Sequence, residues 1–454
     1  MDYRTLSTKL RDLEKTAPVK AEVLKAVLQG QSFKAIADTR NTAEGTIRKQ
    51  VADLYALLEM KTKGKQRRSE LVELFSQYET ELKQDGLTDY IPLSAIPPGS
   101  YPEPGCLPVD SPYFQERETD KILKQAFQIY QPSQPLLLIR VKGCKGFGKS
   151  SALTHLRHFL EQEQQHLVGL VNLENFPPDT LDNLNDLVYQ FTYAVTQEFK
   201  TGLKDHEPRD LKSSWNDDIA PGLNCTSYLQ DYVFSKIHQP KTLLIDGMDA
   251  VLESQSTSFP FSQLLRSWYE EKMKKVTTSP VIWPHLVIAY STEPYAKYDQ
   301  IAGSPLQNVG RDLELPELTK AQVLRQAQMY GLKGKLEAQV EVLMEWVGGH
   351  PELVNRSLYE LVKNSQLTPN QLFNNAIQLN GVFDDYLLTN LQRLQANPKL
   401  LDCFKKIITD QDCDDDIDRF QLVKIGLIQS SSTTSVPYRL YREYFKKYLG
   451  IQND

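Results

Sequence analysis

The sequence predicts an α/β fold, a parallel sheet with flanking helices, joined to an all-α N-terminal head and a helical C-terminal region. Three observations predict it. Four short apolar runs, Leu136–Val141, Leu167–Leu173, Thr242–Asp246 and Leu286–Tyr290, alternate with longer stretches of helical spacing, the signature of strands buried on both faces. A glycine-rich loop follows the first run directly. Prolines 92, 97, 98, 102, 104, 108 and 112 interrupt the chain between Tyr90 and Pro112 and separate purely helical patterns from the alternating ones.

Taken in order, residues 1–68 read as a helix-turn-helix head with a basic tract, and 69–112 as one further helix and a proline-rich linker. Residues 113–318 form the α/β core. Helical spacing continues to the end, read as a lid over 319–380 and a winged-helix-like part over 381–454, with a hairpin expected near Gly426 to Arg439. At 454 residues, 40% hydrophobic and 24% charged, the composition is that of a multidomain globular chain rather than a disordered or fibrous one. The net charge of −6 conceals an asymmetry: residues 1–68 carry 15 Lys and Arg against 8 Asp and Glu, so a basic head precedes an acidic body. The N-terminal residues lack the apolar core of a secretion signal, and no run of 18 or more apolar residues occurs. A cytoplasmic location without membrane contact is therefore expected. Five cysteines, widely spaced and without a CxxC, support neither a disulfide framework nor a zinc knuckle and fit a reducing compartment.

The loop Gly143-Cys-Lys-Gly146-Phe147-Gly148-Lys149-Ser150 fits the pattern GxxxxGK[ST] between a strand and the helix-forming run that starts at Ser151. Glycines let backbone N–H groups close around phosphate oxygens, the lysine reaches the β- and γ-phosphates, the hydroxyl holds Mg2+, and the helix N-terminus adds positive potential. The fold class sharpens to an α/β P-loop NTPase. ATP or ADP with Mg2+ is the expected ligand, and Gly143, Gly146, Phe147, Gly148, Lys149, Ser150 and Ser151 are the expected contacts.

About a hundred residues on, the run from Thr242 ends in Asp246, a carboxylate that a rigid strand can aim at the metal beside Ser150. Gly247 stands where many P-loop ATPases place a water-polarising glutamate, so at most slow ATP hydrolysis is expected. Asp249, one helical turn on, is a candidate for that catalytic role and equally for a capping or salt-bridge role. Ser291, at the end of the next strand, can sense the γ-phosphate or simply begin a turn.

Together these segments resemble the AAA-like and STAND-type ATPases, particularly the AAA-like domain common in cyanobacterial proteins. The resemblance spans about Leu107 to Leu449 and adds Pro108 to Glu118, Tyr290-Ser-Thr-Glu-Pro-Tyr, Asn308-Val-Gly310, Gly348-Gly-His350-Pro351 and Leu440 to Phe445. It implies that Phe114 to Glu118, with Arg117, lie against the base and ribose, and that His350 and Pro351 of the lid approach the nucleotide. It also implies a switch in which ADP keeps lid and C-terminal part closed and ATP opens them for homo-oligomerisation.

In the head, Ile36, Ala37, Ile47, Val51 and Leu54 are spaced to fill the wedge between short helices, and Gly30 allows a chain reversal. Thr46, Arg48, Lys49 and Gln50 then fall near the start of the last helix, as contacts to double-stranded DNA require. Gln29 to Ala37 and Gly45 to Val51 resemble the LuxR-type DNA-binding helix-turn-helix. Lys61, Lys63, Lys65, Arg67 and Arg68 add a tract suited to phosphates. A nucleotide-dependent transcriptional regulator is the leading reading; an ATPase scaffold or defence-type sensor whose head recruits a protein partner is the alternative. The aspartates at 412, 414, 416 and 418 imitate a calcium loop, but Ile417 replaces the required glycine and Val423 the bidentate glutamate, so a solvated acidic loop is expected.

Overall fold

A computed structural model describes residues 2–28, 33, 36–37, 40, 42–60, 66–87, 90, 105–109, 111, 113–131, 136–204, 206–274, 283–291, 305–307, 309–332, 334–364, 366–379, 381–430 and 434–451. The chain divides into two compact units. One comprises residues 1–103, 319–344 and 355–374; the other comprises 104–318, 345–354 and 375–454.

The first unit is helical among the described residues. Its head contains α1 (Tyr3–Thr16), α2 (Pro18–Leu28), α3 (Glu44–Leu57), α4 (Gln66–Gln77) and α5 (Glu79–Gln84). Leu6, Leu10 and Leu13 of α1 recur along one face and are buried with Val23, Leu24 and Val27 of α2, and with Ile47, Val51 and Leu54 of α3. Ile36 and Ala37 are buried in the same core, whereas Gly30 lies outside the described residues. Asp2 caps α1 by accepting from the Thr5 N–H, and the Tyr3 hydroxyl donates to the Glu81 carbonyl, which ties α1 to α5.

The second unit is built on five parallel strands in the order β2-β3-β4-β1-β5. They are β1 (Leu138–Lys142), β2 (Leu167–Asn172), β3 (Lys241–Asp246), β4 (His285–Tyr290) and β5 (Arg311–Glu314). Alternation along the strands feeds two separate cores. Leu138, Leu243, Ile245, Leu286 and Ile288 pack with Leu187 and Phe191 of α8 (Leu184–Glu198) and with Phe261 and Trp268 of α9 (Ser258–Lys274). Ile139, Val141, Leu244, Val287 and Ala289 pack with Leu123 and Phe127 of α6 (Glu118–Gln128) and with Leu153, Leu156 and Leu160 of α7 (Lys149–Gln162). Helices therefore cover both faces, which is why the strands read as continuous apolar runs.

The sequence reading omitted β5. This edge strand exposes all but Leu313, so it lacks an apolar run; it is held in register by Arg140 and Lys142 of β1, which both pair with Asp312, at 2.6 and 2.9 Å.

Beyond the sheet come α10 (Lys320–Met329), α11 (Leu336–Val347), α12 (Pro351–Lys363) and α13 (Pro369–Ala376). They are followed by α14 (Asp384–Ala396), α15 (Pro398–Ile408), α16 (Asp416–Lys424), an antiparallel hairpin of β6 (Gln429–Ser430) and β7 (Thr434–Ser435), and α17 (Arg439–Tyr448). The hairpin falls where the sequence placed one. The acidic run behaves as a helix start: Asp415 caps α16 by accepting from the Ile417 and Asp418 N–H groups, and among the described residues no cluster of metal ligands occurs. One expectation about the cysteines is corrected. Cys403 and Cys413, ten residues apart, form a disulfide between α15 and the acidic turn, because the chain reversal brings their Cα atoms to 5.3 Å. Spacing along the sequence does not reveal that return.

Among the described residues no helix is long and apolar enough to cross a membrane.

Candidate functional site

The site lies at the C-terminal edge of the parallel sheet, where β1 leads into α7. Gly146 and Gly148 both adopt φ +80°, the left-handed region that suits glycine, and Gly148 is the N-cap residue of α7. The first helical residue, Lys149, folds its side chain back over the loop. Its Nζ donates to the Gly143 carbonyl at 2.8 Å, the Cys144 carbonyl at 3.2 Å and the Ser291 hydroxyl at 3.1 Å. Burial pushes the Lys149 ammonium below its usual range, and Asp249 and Asp246 act in the opposite direction.

Asp246 ends β3, is buried, and accepts from the Gly247 N–H at 2.9 Å. Asp249 opens a short helix and grips Ser291: both carboxylate oxygens accept from the Ser291 N–H at 2.9 Å, and one accepts from the Ser291 hydroxyl at 3.1 Å. A relay therefore runs from Lys149 through Ser291 to Asp249. The structure thus brings Lys149, Asp246, Asp249 and Ser291 together from three strand ends. Ser150 lies in the first turn of α7, whereas Thr292 and Glu293 lie outside the described residues.

Three further residues expected at the nucleotide have mapped partners in the protein. Arg117 is 4% exposed; it pairs with Asp120 at 3.1 Å and donates to the Phe147 carbonyl at 2.7 Å, bracing the loop from beneath. The Ser151 hydroxyl accepts from the Leu107 N–H at 2.9 Å and so fastens the segment preceding α6. His350 is buried with its ring edge-on to Phe147 at 4.9 Å, and its Nδ1 faces the Leu353 N–H at 3.4 Å. Phe114 stacks on His155 with ring centroids 3.6 Å apart.

Pro351 starts α12, and the Glu352 N–H donates to the Gly146 carbonyl at 3.2 Å, so the turn carrying Gly348 to Pro351 rests directly on the loop. That turn is clasped by Glu317, which the sequence reading missed. One Glu317 oxygen accepts from the Gly349 N–H at 2.9 Å; the other accepts from the Tyr438 hydroxyl at 2.6 Å and from Gln429 Nε2 at 3.3 Å. A lone glutamate after a polar edge strand carries no motif that singles it out.

Glu174, also missed, stands beside Gly247. The register of β2 and β3 pairs Asn172 with Asp246, so the short turn Leu173–Asn175 comes alongside the residue that follows Asp246. Gly247 has φ +66°, and a methyl group on it would come within 2.6 Å of both Asn172 Oδ1 and Glu174 Cγ.

On the head, Thr46, Arg48 and Lys49 are exposed along α3 and Gln50 is half-buried; Arg48 pairs with Glu44 at 2.7 Å.

A family model described as the AAA-like domain matches residues 102–447. No curated protein matches the chain. Among solved structures, the Walker-type ATPase of Pyrococcus abyssi is 12% identical, covering 75% of this chain and 99% of its own, with a TM-score of 0.52. The ORC2 protein of Aeropyrum pernix, in ADPNP–ADP complexes, is 14% identical over 77% of this chain and 96% of its own, at a TM-score of 0.41. A RuvB variant of Thermotoga maritima is 12% identical over 75% of this chain and 97% of its own, at 0.36. The likeness to the Pyrococcus protein is one of fold, that of the P-loop ATPases. With its family match extending over about three-quarters of its length, from before the loop to the last helix, the chain belongs to the AAA-like domain family.

Proposed function

We propose that the chain is an ATP/ADP-binding switch protein whose basic head contacts double-stranded DNA. The observation that carries the nucleotide reading is the loop itself: left-handed glycines at a helix N-terminus, with a half-buried ammonium held between the loop carbonyls and the Ser291–Asp249 pair. In this reading Gly143, Gly146, Phe147 and Gly148 present backbone to the phosphates, and Lys149 exchanges its carbonyl partners for phosphate oxygens. Ser291 senses the γ-phosphate, and His350 and Pro351 close over the ligand from the lid. Arg117 and Ser151 act on the nucleotide through the backbone they brace. Ser150 and Asp246 are the residues to hold Mg2+, a hydroxyl and a carboxylate suited to a hard cation. When bound, the ion offsets charge on the phosphate oxygens.

Support for the DNA reading comes from the head's excess of basic residues and from the exposure of Thr46, Arg48 and Lys49 on one helix. The likeness of Gln29 to Ala37 and of Gly45 to Val51 to the LuxR-type helix-turn-helix belongs to the same reading, as does nucleotide-dependent self-association. A second reading, a scaffold or sensor whose head binds a protein partner, is favoured by one observation. Arg48, Lys20 and Lys9 each pair with a carboxylate of the head itself, which lowers the charge offered to a polyanion.

Thermal denaturation tests the nucleotide reading. Mg-ADP at about 100 times its Kd stabilises the native state by ~2.7 kcal/mol, so the melting temperature of the wild type rises. Lys149→Ala loses most of that rise while melting normally without ligand. An equal rise in the variant removes Lys149 from the site.

A further inference from the structure

Position 247 of this chain cannot carry the carboxylate that many P-loop ATPases place after the strand aspartate. Its φ of +66° disfavours any residue but glycine, and the volume into which a side chain would grow is already occupied by Asn172 and Glu174. Asp249, the other nearby carboxylate on that side, uses both oxygens to hold the Ser291 N–H and hydroxyl. Glu174 differs on each count. It projects from the adjacent strand end into the space beside Gly247, and its backbone is fixed by the Asn172 side chain, which accepts from the Glu174 N–H at 2.9 Å. It is also exposed, which leaves it open to water.

We propose that Glu174 is the carboxylate that activates the attacking water when this chain hydrolyses ATP, the neighbouring strand β2 supplying what β3 lacks. The inference rests on the nucleotide reading above. The water oxygen forms a bond to the γ-phosphorus as the bond from that phosphorus to the bridging oxygen breaks, and the bridging electron pair leaves with ADP. Glu174 accepts the proton released by the water and returns it to solvent, so the products are ADP and inorganic phosphate. Asp249 and Asp246 favour the protonated form of the Lys149 ammonium, and Glu174 acts in the same direction with a smaller effect. The register of β2 on β3 sets Glu174 beside the residue that follows Asp246.

With no carboxylate directly after Asp246, the expected turnover is on the order of one per minute or less against ~10 per second for a median enzyme. The test uses the full chain, a fluorescent ADP analogue for binding and phosphate release from Mg-ATP for turnover. Glu174→Gln binds the analogue within about threefold of wild type and loses roughly 100-fold in turnover, the lower end of what general-base catalysis supplies. Glu174→Asp, which keeps the carboxylate, retains an intermediate rate and guards against a merely structural loss. Wild-type turnover in Glu174→Gln, equal loss in both variants, or a wild type that binds the analogue without releasing phosphate each overturns the assignment of Glu174. A wild type that binds no nucleotide overturns the nucleotide reading as well, and the binding measurement tells the two failures apart.

Discussion

At Gly349 the chain has room for a hydrogen and for nothing larger, because a Cβ there would run into the Leu318 backbone carbonyl. The same two segments are joined in both directions: Leu318 N–H donates to the Gly349 carbonyl at 2.8 Å, and the Gly349 N–H donates to Glu317 at 2.9 Å. Gly348 is constrained as well, with φ +57° and the Tyr438 ring close by. The close approach lets the turn that bears His350 and Pro351 lie on Gly146. Gly349→Ala is therefore expected to cost ~3 kcal/mol, in the range of substitutions that force a buried backbone apart, read as a lowered urea midpoint. An alanine variant with an unchanged midpoint would show that the turn is not packed this closely. The Gly-Gly-His-Pro run itself was visible in the sequence. Its partners Glu317 and Tyr438 were not, since they are 32 and 89 residues from Gly349 and neither belongs to a motif.

At the scale of elements, β1 to β4 were legible because burial on both faces writes an apolar run into the sequence. The edge strand β5 was not, since a strand with one neighbour and one covered face needs only Leu313 to be apolar. The helices α2 and α3 of the head were legible for the opposite reason, a single buried stripe at helical spacing. Helix α3 also bears the test that separates the two readings of the head. If its exposed face meets a duplex, Arg48→Ala combined with Lys49→Ala weakens DNA binding in a gel-shift series and leaves Mg-ADP binding unchanged. Each lost phosphate contact flattens the slope of log affinity against log salt by about one unit. Duplex binding unaffected by the double substitution, or absent at low salt, transfers the head to the protein-partner reading.

For the molecule as a whole, the N-terminal edge of the sheet sets a limit on acid stability. His166 and His285 stack there with ring centroids 5.6 Å apart, Thr242 hydroxyl lies 2.9 Å from His166 Nδ1, and the Leu137 N–H donates to His285 Nδ1 at 3.0 Å, which requires that nitrogen to be unprotonated. Burial lowers the His166 pKa from 6.5 to about 4. Between these values the unfolded chain binds the proton and the folded chain does not, so stability falls as pH drops from about 6.5 toward 4 and is unaffected by this group above 6.5. Denaturation at pH 7.5 and pH 5 checks the sign: the wild type loses more stability than His166→Gln over that interval. An equal loss in both proteins assigns the acid sensitivity elsewhere.

What the sequence alone determined is whatever depends on local chemistry: the glycine-lysine-serine loop between a strand and a helix, the aspartate closing a buried strand, the basic head and the helical ends. Each of these requires residue types at short, fixed spacings, and such spacings survive in one dimension. Only the tertiary structure decided which groups meet. It placed Asp249 on Ser291 and Arg117 beneath Phe147, joined Cys403 to Cys413, and set Glu174 beside a glycine that no side chain could replace. The register of β2 on β3 and the return of the turn carrying Gly348 to Pro351 and of the C-terminal hairpin to the sheet edge settle those meetings. Both are fixed by packing between segments far apart in the chain, and periodicity within a single segment carries no record of them.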